Sequence, residues 1–180
     1  MTGNRMHRPS FAACWSAAQR IYEPSSPSEK VARVIGGQVA VNILHVAPPL
    51  RWRNTCVVRM SYILNHCGLS IPVMPTMTVS GADRRQYFYR IESLQAFILH
   101  RWGRPDVALQ HPSSGARLQR WKGVLFFGGS GGRDAPGHVN AFHGRDCYEQ
   151  CYFDDAGRGR FPAGQAHLGR REGVARWRRD

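Results

Sequence analysis

The spacing of apolar positions changes along the chain, and the change predicts helices first and strands later. Phe11, Trp15, Ala18 and Ile21 recur every three to four residues, the spacing of one helical face. Residues 22–30, rich in Ser and Pro, read as a loop. Val34, Ile35, Val39 and Val41 flank Gly36 and Gly37, which predicts either a helix broken by glycine or two short pieces. After an irregular Pro-rich stretch from His45 to Trp52, the segment Thr55 to Cys67 puts Cys56, Met60, Ile63, Leu64 and Cys67 on one helical face. Asn54 or Thr55 suits its N-cap, and Gly68 its C-terminal stop.

Residues 72–80 read as a loop or edge segment and 87–91 as a strand. Ile91 to Trp102 is a second strong helix, stopped by Gly103-Arg-Pro105. Val124-Leu-Phe-Phe127 is a short buried strand, Gly128 to Gly137 a glycine-rich loop, and His138 to His143 a second strand. Helices followed by strands within 180 residues predict an α+β fold and a single domain over 1–180, without internal repeats. An apolar content of 42% excludes disorder, and no apolar run reaches the ~20 residues that cross a bilayer.

Charge widens the list of partners without choosing among them. Lys+Arg 25 against Asp+Glu 12 leaves +13, and only Lys30 and Lys122 are lysine. Such a balance suits an anionic partner: nucleic acid, lipid, cell-wall polymer or an acidic protein. The arginines are mostly spread along the chain, except in an Arg-rich tail of uncertain structure, residues 154–180. The first twenty residues lack the clean apolar core of an export signal, so synthesis in the cytoplasm without a conventional signal peptide is expected.

The candidate chemistry rests on cysteine and histidine. Cys14 and Cys67 fall at apolar-periodic positions and read as inert core thiols. Cys147 and Cys151 bracket a polar loop that fits either a disulfide or half of a metal site. Cys56 is left over at the start of a helix, where unpaired N–H groups and the helix dipole favour a thiolate and can meet an oxyanion. His138, opening a strand after Gly137, is a candidate base. Period-two alternation puts Asn140 on the same face, able to orient the imidazole, and Glu149 in the following loop is an alternative orienter. A cysteine at a helix start with a histidine on a strand is the papain-like arrangement.

Several local motifs sharpen this reading. Trp52-Arg-Asn-Thr-Cys56, Gly137-His138-Val139 and the Cys147-x-x-x-Cys151 loop occur together with Ile35-Gly-Gly37, Asn42, Thr78-Val-Ser-Gly-x-Asp83, Tyr87-Phe-Tyr-Arg90 and Trp102-Gly-x-Pro-Asp106. In this order, over about residues 10–153, the sequence resembles the type VI secretion amidase effectors of the fourth family. The resemblance implies a papain-like, NlpC/P60-type cysteine hydrolase with its nucleophile helix packed on a small antiparallel sheet. It further implies cleavage of the γ-D-glutamyl–meso-diaminopimelate bond in Gram-negative peptidoglycan stem peptides.

Carried over residue by residue, Cys56 matches the nucleophile, His138 the base and Glu149 the orienting carboxylate, where the family usually has Asp. Cys147 and Cys151 match cysteines expected to bridge in the periplasm. Phe142 replaces a usual tryptophan on the histidine strand, and no aromatic residue stands in the loop Gly131-Gly-Arg-Asp-Ala135. Expected partners are the stem peptide, a cognate immunity protein and the type VI secretion apparatus, with action in the target's periplasm and no cofactor, metal, nucleic acid or membrane span. Two rivals remain at this level. His138, His143, Cys147 and Cys151 offer a zinc-ligand set, and the basic tail with Trp177 offers a nucleic-acid surface.

Overall fold

The computed structural model describes residues 8–110, 118, 121–128, 137–144, 146–149 and 163–169, the last stretch by its backbone. Cys151, the glycine-rich stretch 129–136 and the arginines and Trp177 of the tail lie outside the described residues. Contacts divide the chain into two compact units, one of residues 12–94 and one of 1–11 with 95–180.

The helical unit holds most of α1 (Phe11–Ile21), then α2 (Pro27–Ile35), α3 (Gly37–Ala40) and α4 (Cys56–His66), with a two-stranded pair of β1 (Thr78–Ser80) and β2 (Gln86–Phe88). Along α1 the buried side is Cys14, Ala17, Ala18 and Ile21, so Cys14 rather than half-buried Trp15 faces inward. Helix α2 begins earlier than the loop reading predicts. Ser26 is its N-cap and Pro27 its first residue, where the fixed φ of proline favours helix and no N–H is wasted.

The break after α2 is two glycines with positive φ, Gly36 at 65° and Gly37 at 59°. A Cβ on Gly37 would stand 2.6 Å from the backbone of Gly81 and Ala82, and the Ala82 N–H donates to the Ile35 carbonyl at 3.0 Å. The Ile35-Gly-Gly and Ser-Gly-x-Asp motifs are thus the two halves of one close backbone approach. A π-helical turn over Val41–His45 and a short 3-10 turn over Pro48–Leu50 lead toward α4.

Helix α4 is buried from Cys56 to Asn65, on every side, where one apolar face was expected. Its polar groups are consumed internally. The Ser61 hydroxyl donates to the Val57 carbonyl and accepts from the Phe88 N–H, while Asn65 Nδ2 donates to the Gln86 carbonyl. Side chains four apart on α4 therefore complete the ladder of β2, and the helix packs on that small antiparallel pair. The helix ends at His66 with Cys67 as its C-cap, and Gly68 just beyond takes φ 103°, as the sequence predicts.

Cys14 and Cys67 form a disulfide, not two core thiols, joining α1 to the C-cap of α4. Sequence periodicity places both inside but does not show that a segment of sequence separation 53 folds back to bring their Cα atoms to 4.9 Å.

The second unit carries the remainder of α5 (Ile91–Trp102) and a five-stranded sheet of β3 (Val107–Gln110), β4 (Lys122–Gly128), β5 (His138–His143), β6 (Asp146–Cys147) and β7 (Ala163–Gly169). The order is β3-β7-β4-β5-β6 and every pairing is antiparallel. Part of the tail, whose structure the sequence leaves uncertain, is strand β7. Residues 163–169 lack aromatic alternation yet pair with β3 and β4, because a strand flanked on both sides is held by backbone bonds whatever its side chains. Leu118, Leu125, Phe127 and Phe142 form the apolar cluster of one sheet face. No described helix is long and apolar enough to cross a membrane.

Candidate active site

Cys56 is the first residue of α4, 1% exposed, and among the described residues the cysteine that is in no disulfide. Its N–H donates to Asn54 Oδ1 at 3.1 Å, an Asx turn that fixes the approach to the helix. The N-cap residue Thr55 gives no side-chain cap; its Oγ1 instead accepts from Arg59 Nη1 at 2.8 Å. The Arg59 guanidinium lies over the Tyr22 ring at 5.6 Å, and Tyr62 stacks on His66 at 3.9 Å. Both side chains are buried in these contacts, which fits a packing role.

Upstream, the Trp52 N–H donates to the Asn42 carbonyl, and the Trp52 ring stacks on Tyr89 at 5.2 Å. Arg90 covers Tyr89, and the Tyr89 hydroxyl donates to the Thr76 carbonyl. Asn42, Trp52 and the Tyr87-Phe-Tyr-Arg90 motif therefore share one task, holding the segment that delivers Cys56. A second knot centres on Asp83, whose carboxylate accepts from the Tyr87 hydroxyl at 2.7 Å and the Arg85 N–H at 3.1 Å. Burial and the Asp83 bond push the Tyr87 phenol well above its ordinary range.

In the sheet unit, His138 opens β5 opposite Phe127, and the two rings are 6.1 Å apart. Glu149 Oε2 stands 3.8 Å from His138 Nε2, an ion-pair distance rather than a hydrogen bond. Asn140, paired across the sheet with Leu125, accepts the Glu149 N–H at Oδ1, 3.3 Å away. The carboxylate of Glu149 thus faces the imidazole, and Asn140 bonds the backbone of that same glutamate. Sequence reading treated the two as alternatives and missed that link; the signal was Asn140 two residues along the same face from His138.

Cys147 is disulfide-bonded, so its sulfur is not a thiolate ligand. Among the described residues no group of three or more His, Cys, Asp or Glu is gathered to hold a metal.

Comparison with known proteins bears on both sets of residues. A sequence profile described as "Type VI secretion system (T6SS), amidase effector protein 4" matches residues 52–161, the span containing Cys56, His138 and Glu149. The chain is similar to the effector in the Tae4–Tai4 effector–immunity complex from Enterobacter cloacae, with 31% identity and a TM-score of 0.76 over 89% of this chain and 98% of that one. It is similar also to Tae4 from Salmonella typhimurium bound to the Enterobacter cloacae immunity protein Tai4, with 32% identity and a TM-score of 0.75 over 89% and 99%. A search of curated proteins finds no match.

The class these findings define is an α+β, papain-like hydrolase fold of the NlpC/P60 type. Within it, the chain belongs to the type VI secretion amidase effector 4 family, the peptidoglycan amidase effectors.

Proposed function

We propose that this effector hydrolyses the γ-D-glutamyl–meso-diaminopimelate bond of Gram-negative stem peptides, with Cys56 as nucleophile, His138 as base and Glu149 as orienting carboxylate. The observation that carries the reading is Cys56 itself: a cysteine outside any disulfide, at the first position of a buried helix, in an amidase family. The sulfur attacks the amide carbonyl and displaces the amine, forming a thioester. His138 accepts the thiol proton, donates it to the departing amine, then draws a proton from the water that hydrolyses the thioester.

In this reading Glu149 takes the Nε2 side of the ring, 3.8 Å away, and Nδ1 is the nitrogen that exchanges the proton with sulfur. In the resting state the Cys56 N–H is bonded to Asn54 Oδ1, so its use as an oxyanion donor requires exchange of that bond for the substrate oxygen. Cys147 pairs with Cys151 in this reading. Action is in the periplasm of the target bacterium after delivery by the type VI apparatus, with a cognate immunity protein protecting the producer.

Digestion of purified Gram-negative sacculi tests the assignment. Wild type is expected to release fragments whose masses place the cut between D-Glu and diaminopimelate, and Cys56→Ala to release none while melting normally. Retained cleavage by Cys56→Ala would sink the nucleophile, and fragments cut at another bond would sink the substrate assignment. Peptide mapping of the oxidised chain checks the pairing of Cys147.

A further inference from the structure

We propose that Asn140 is a positioning residue that acts on His138 through Glu149, by holding the backbone from which the carboxylate reaches the imidazole. The inference rests on the catalytic roles proposed above and deepens them.

Asn140 is 2% exposed on β5, two residues after His138 and on the same face. Its cross-strand partner is Leu125, part of the apolar cluster of that face. A buried amide beside such a cluster is costly unless it is bonded. The bond with Glu149 fixes its orientation, because an N–H donor can only be met by Oδ1 and not by the amide nitrogen.

The location of the bond shows what it does. Pairing of β5 with β6 ends at Phe142 with Cys147, and the Tyr148 N–H still reaches the Ala141 carbonyl at 2.8 Å. One residue further, Asn140 supplies the acceptor from a side chain. It extends the ladder to the residue whose carboxylate stands 3.8 Å from His138 Nε2. Glutamate has one more rotatable bond than aspartate, so a fixed backbone matters more to where its carboxylate sits. Asn140 and Glu149 are therefore one device, with the amide setting the base of the lever and the carboxylate its tip.

The test uses Asn140→Leu, which keeps the volume but offers no acceptor, and Asn140→Asp, which keeps an oxygen in place. On sacculi, N140L is expected to lower kcat about tenfold with KM within about twofold, the signature of a displaced catalytic group. N140D is expected to recover most of that loss. In a Glu149→Gln background the N140L loss should shrink to about twofold or less, since the carboxylate that it positions is already gone. Nitrogen NMR of the His138 ring supplies a readout independent of catalysis. The wild type is expected to carry its neutral-form proton on Nε2, facing Glu149, and N140L to show mixed tautomers.

A folded N140L with wild-type kcat and an unchanged tautomer overturns the proposal, as does a loss equally large with and without the Glu149 carboxylate. If N140L does not fold, a folded N140D with mixed tautomers overturns it, and one with the wild-type tautomer supports it. A wild type that cleaves no sacculi would instead sink the proposed reaction, while the tautomer comparison would still decide the role of Asn140.

Discussion

Cutting the Cys14–Cys67 bridge is expected to cost about 4 kcal/mol of stability. The bridge closes a loop of sequence separation 53 between α1 and the C-cap of α4. The loop-entropy relation gives on the order of 14 cal/mol/K for a ring of that size, or ~4 kcal/mol at 25 °C. This is a large share of the 5–15 kcal/mol that typically separates folded from unfolded domains. The perturbation is the double variant Cys14→Ala/Cys67→Ala, both of which sit at buried positions and leave only small voids.

Urea unfolding followed by tryptophan fluorescence reads the difference, with both proteins kept oxidised so that Cys147 remains bridged. The expected result is a midpoint shift equivalent to ~4 kcal/mol and a melting temperature lower by about 10 °C. With both proteins fully reduced, the two curves should converge to within about 1 kcal/mol. A wild type shown by mass mapping to hold the bridge, yet matching the double variant in urea, would refute the reasoning. The consequence for a secreted effector is direct: this increment is absent in a reducing cytoplasm and present in an oxidising compartment.

Other outcomes follow from single contacts. Gly37→Ala forces a Cβ to within 2.6 Å of the backbone at Gly81 and Ala82 and should cost at least ~3 kcal/mol, against about 1 kcal/mol for Gly68→Ala, where nothing lies within 4 Å. Both are read from urea curves. Asn65→Ala strips bonds from the Gln86 carbonyl and the Ile71 N–H and should cost about 2–4 kcal/mol, more than Asn54→Ala, which loses one part-buried Asx bond worth ~1 kcal/mol. His66 has a pKa lowered below 6.5, chiefly by burial, with Arg85 and Arg20 adding to the effect and Tyr62 and Asp83 opposing it. A depressed folded-state value means that the unfolded chain binds the proton first, so its contribution to stability is full above 6.5 and is lost as pH falls through the folded value. Proton NMR of the His66 ring should titrate below 6.5, and His66→Gln should flatten the acid limb of the urea midpoint.

The readable parts of this chain were those set by local pattern. Ile91–Trp102 and His138–His143 appear in the structure with the bounds the sequence predicts, because a strong apolar period ends at Gly103 in one case and begins after Gly137 in the other. The parts that were not readable depend on partners far along the chain. Helix α4 looks amphipathic in sequence, but its polar Ser61 and Asn65 are buried against β2, a strand about 20 residues later. β7 carries no pattern of its own and exists through β3 and β4 on either side. Cys56, His138 and Glu149 were picked out by residue type and motif order. The bond from Asn140 to Glu149 requires the register of β5 against β6, which sequence does not give.

The five cysteines raise a question that the helix answers. An effector whose proposed nucleophile is a thiol, and which has three other described half-cystines, risks pairing Cys56 with the wrong sulfur. Cys56 opens α4 and Cys67 caps it, eleven residues along the axis, which at 1.5 Å per residue is about 16 Å. Disulfide Cα atoms stand within about 7 Å, so the folded helix excludes a Cys56–Cys67 bridge, while Cys14 already lies 4.9 Å from Cys67 by Cα. In the unfolded chain the preference reverses, because the 56–67 loop is far shorter than the 14–67 loop and closes more readily. Folding before oxidation should therefore give one reactive thiol, Cys56, and oxidation before folding should consume it. Reduced protein oxidised in buffer is expected to keep full activity on sacculi, and the same protein oxidised in concentrated urea, then diluted, to lose most of it and to yield a Cys56–Cys67 peptide on mapping. Equal activity by both routes would show that the order of folding and oxidation does not protect Cys56.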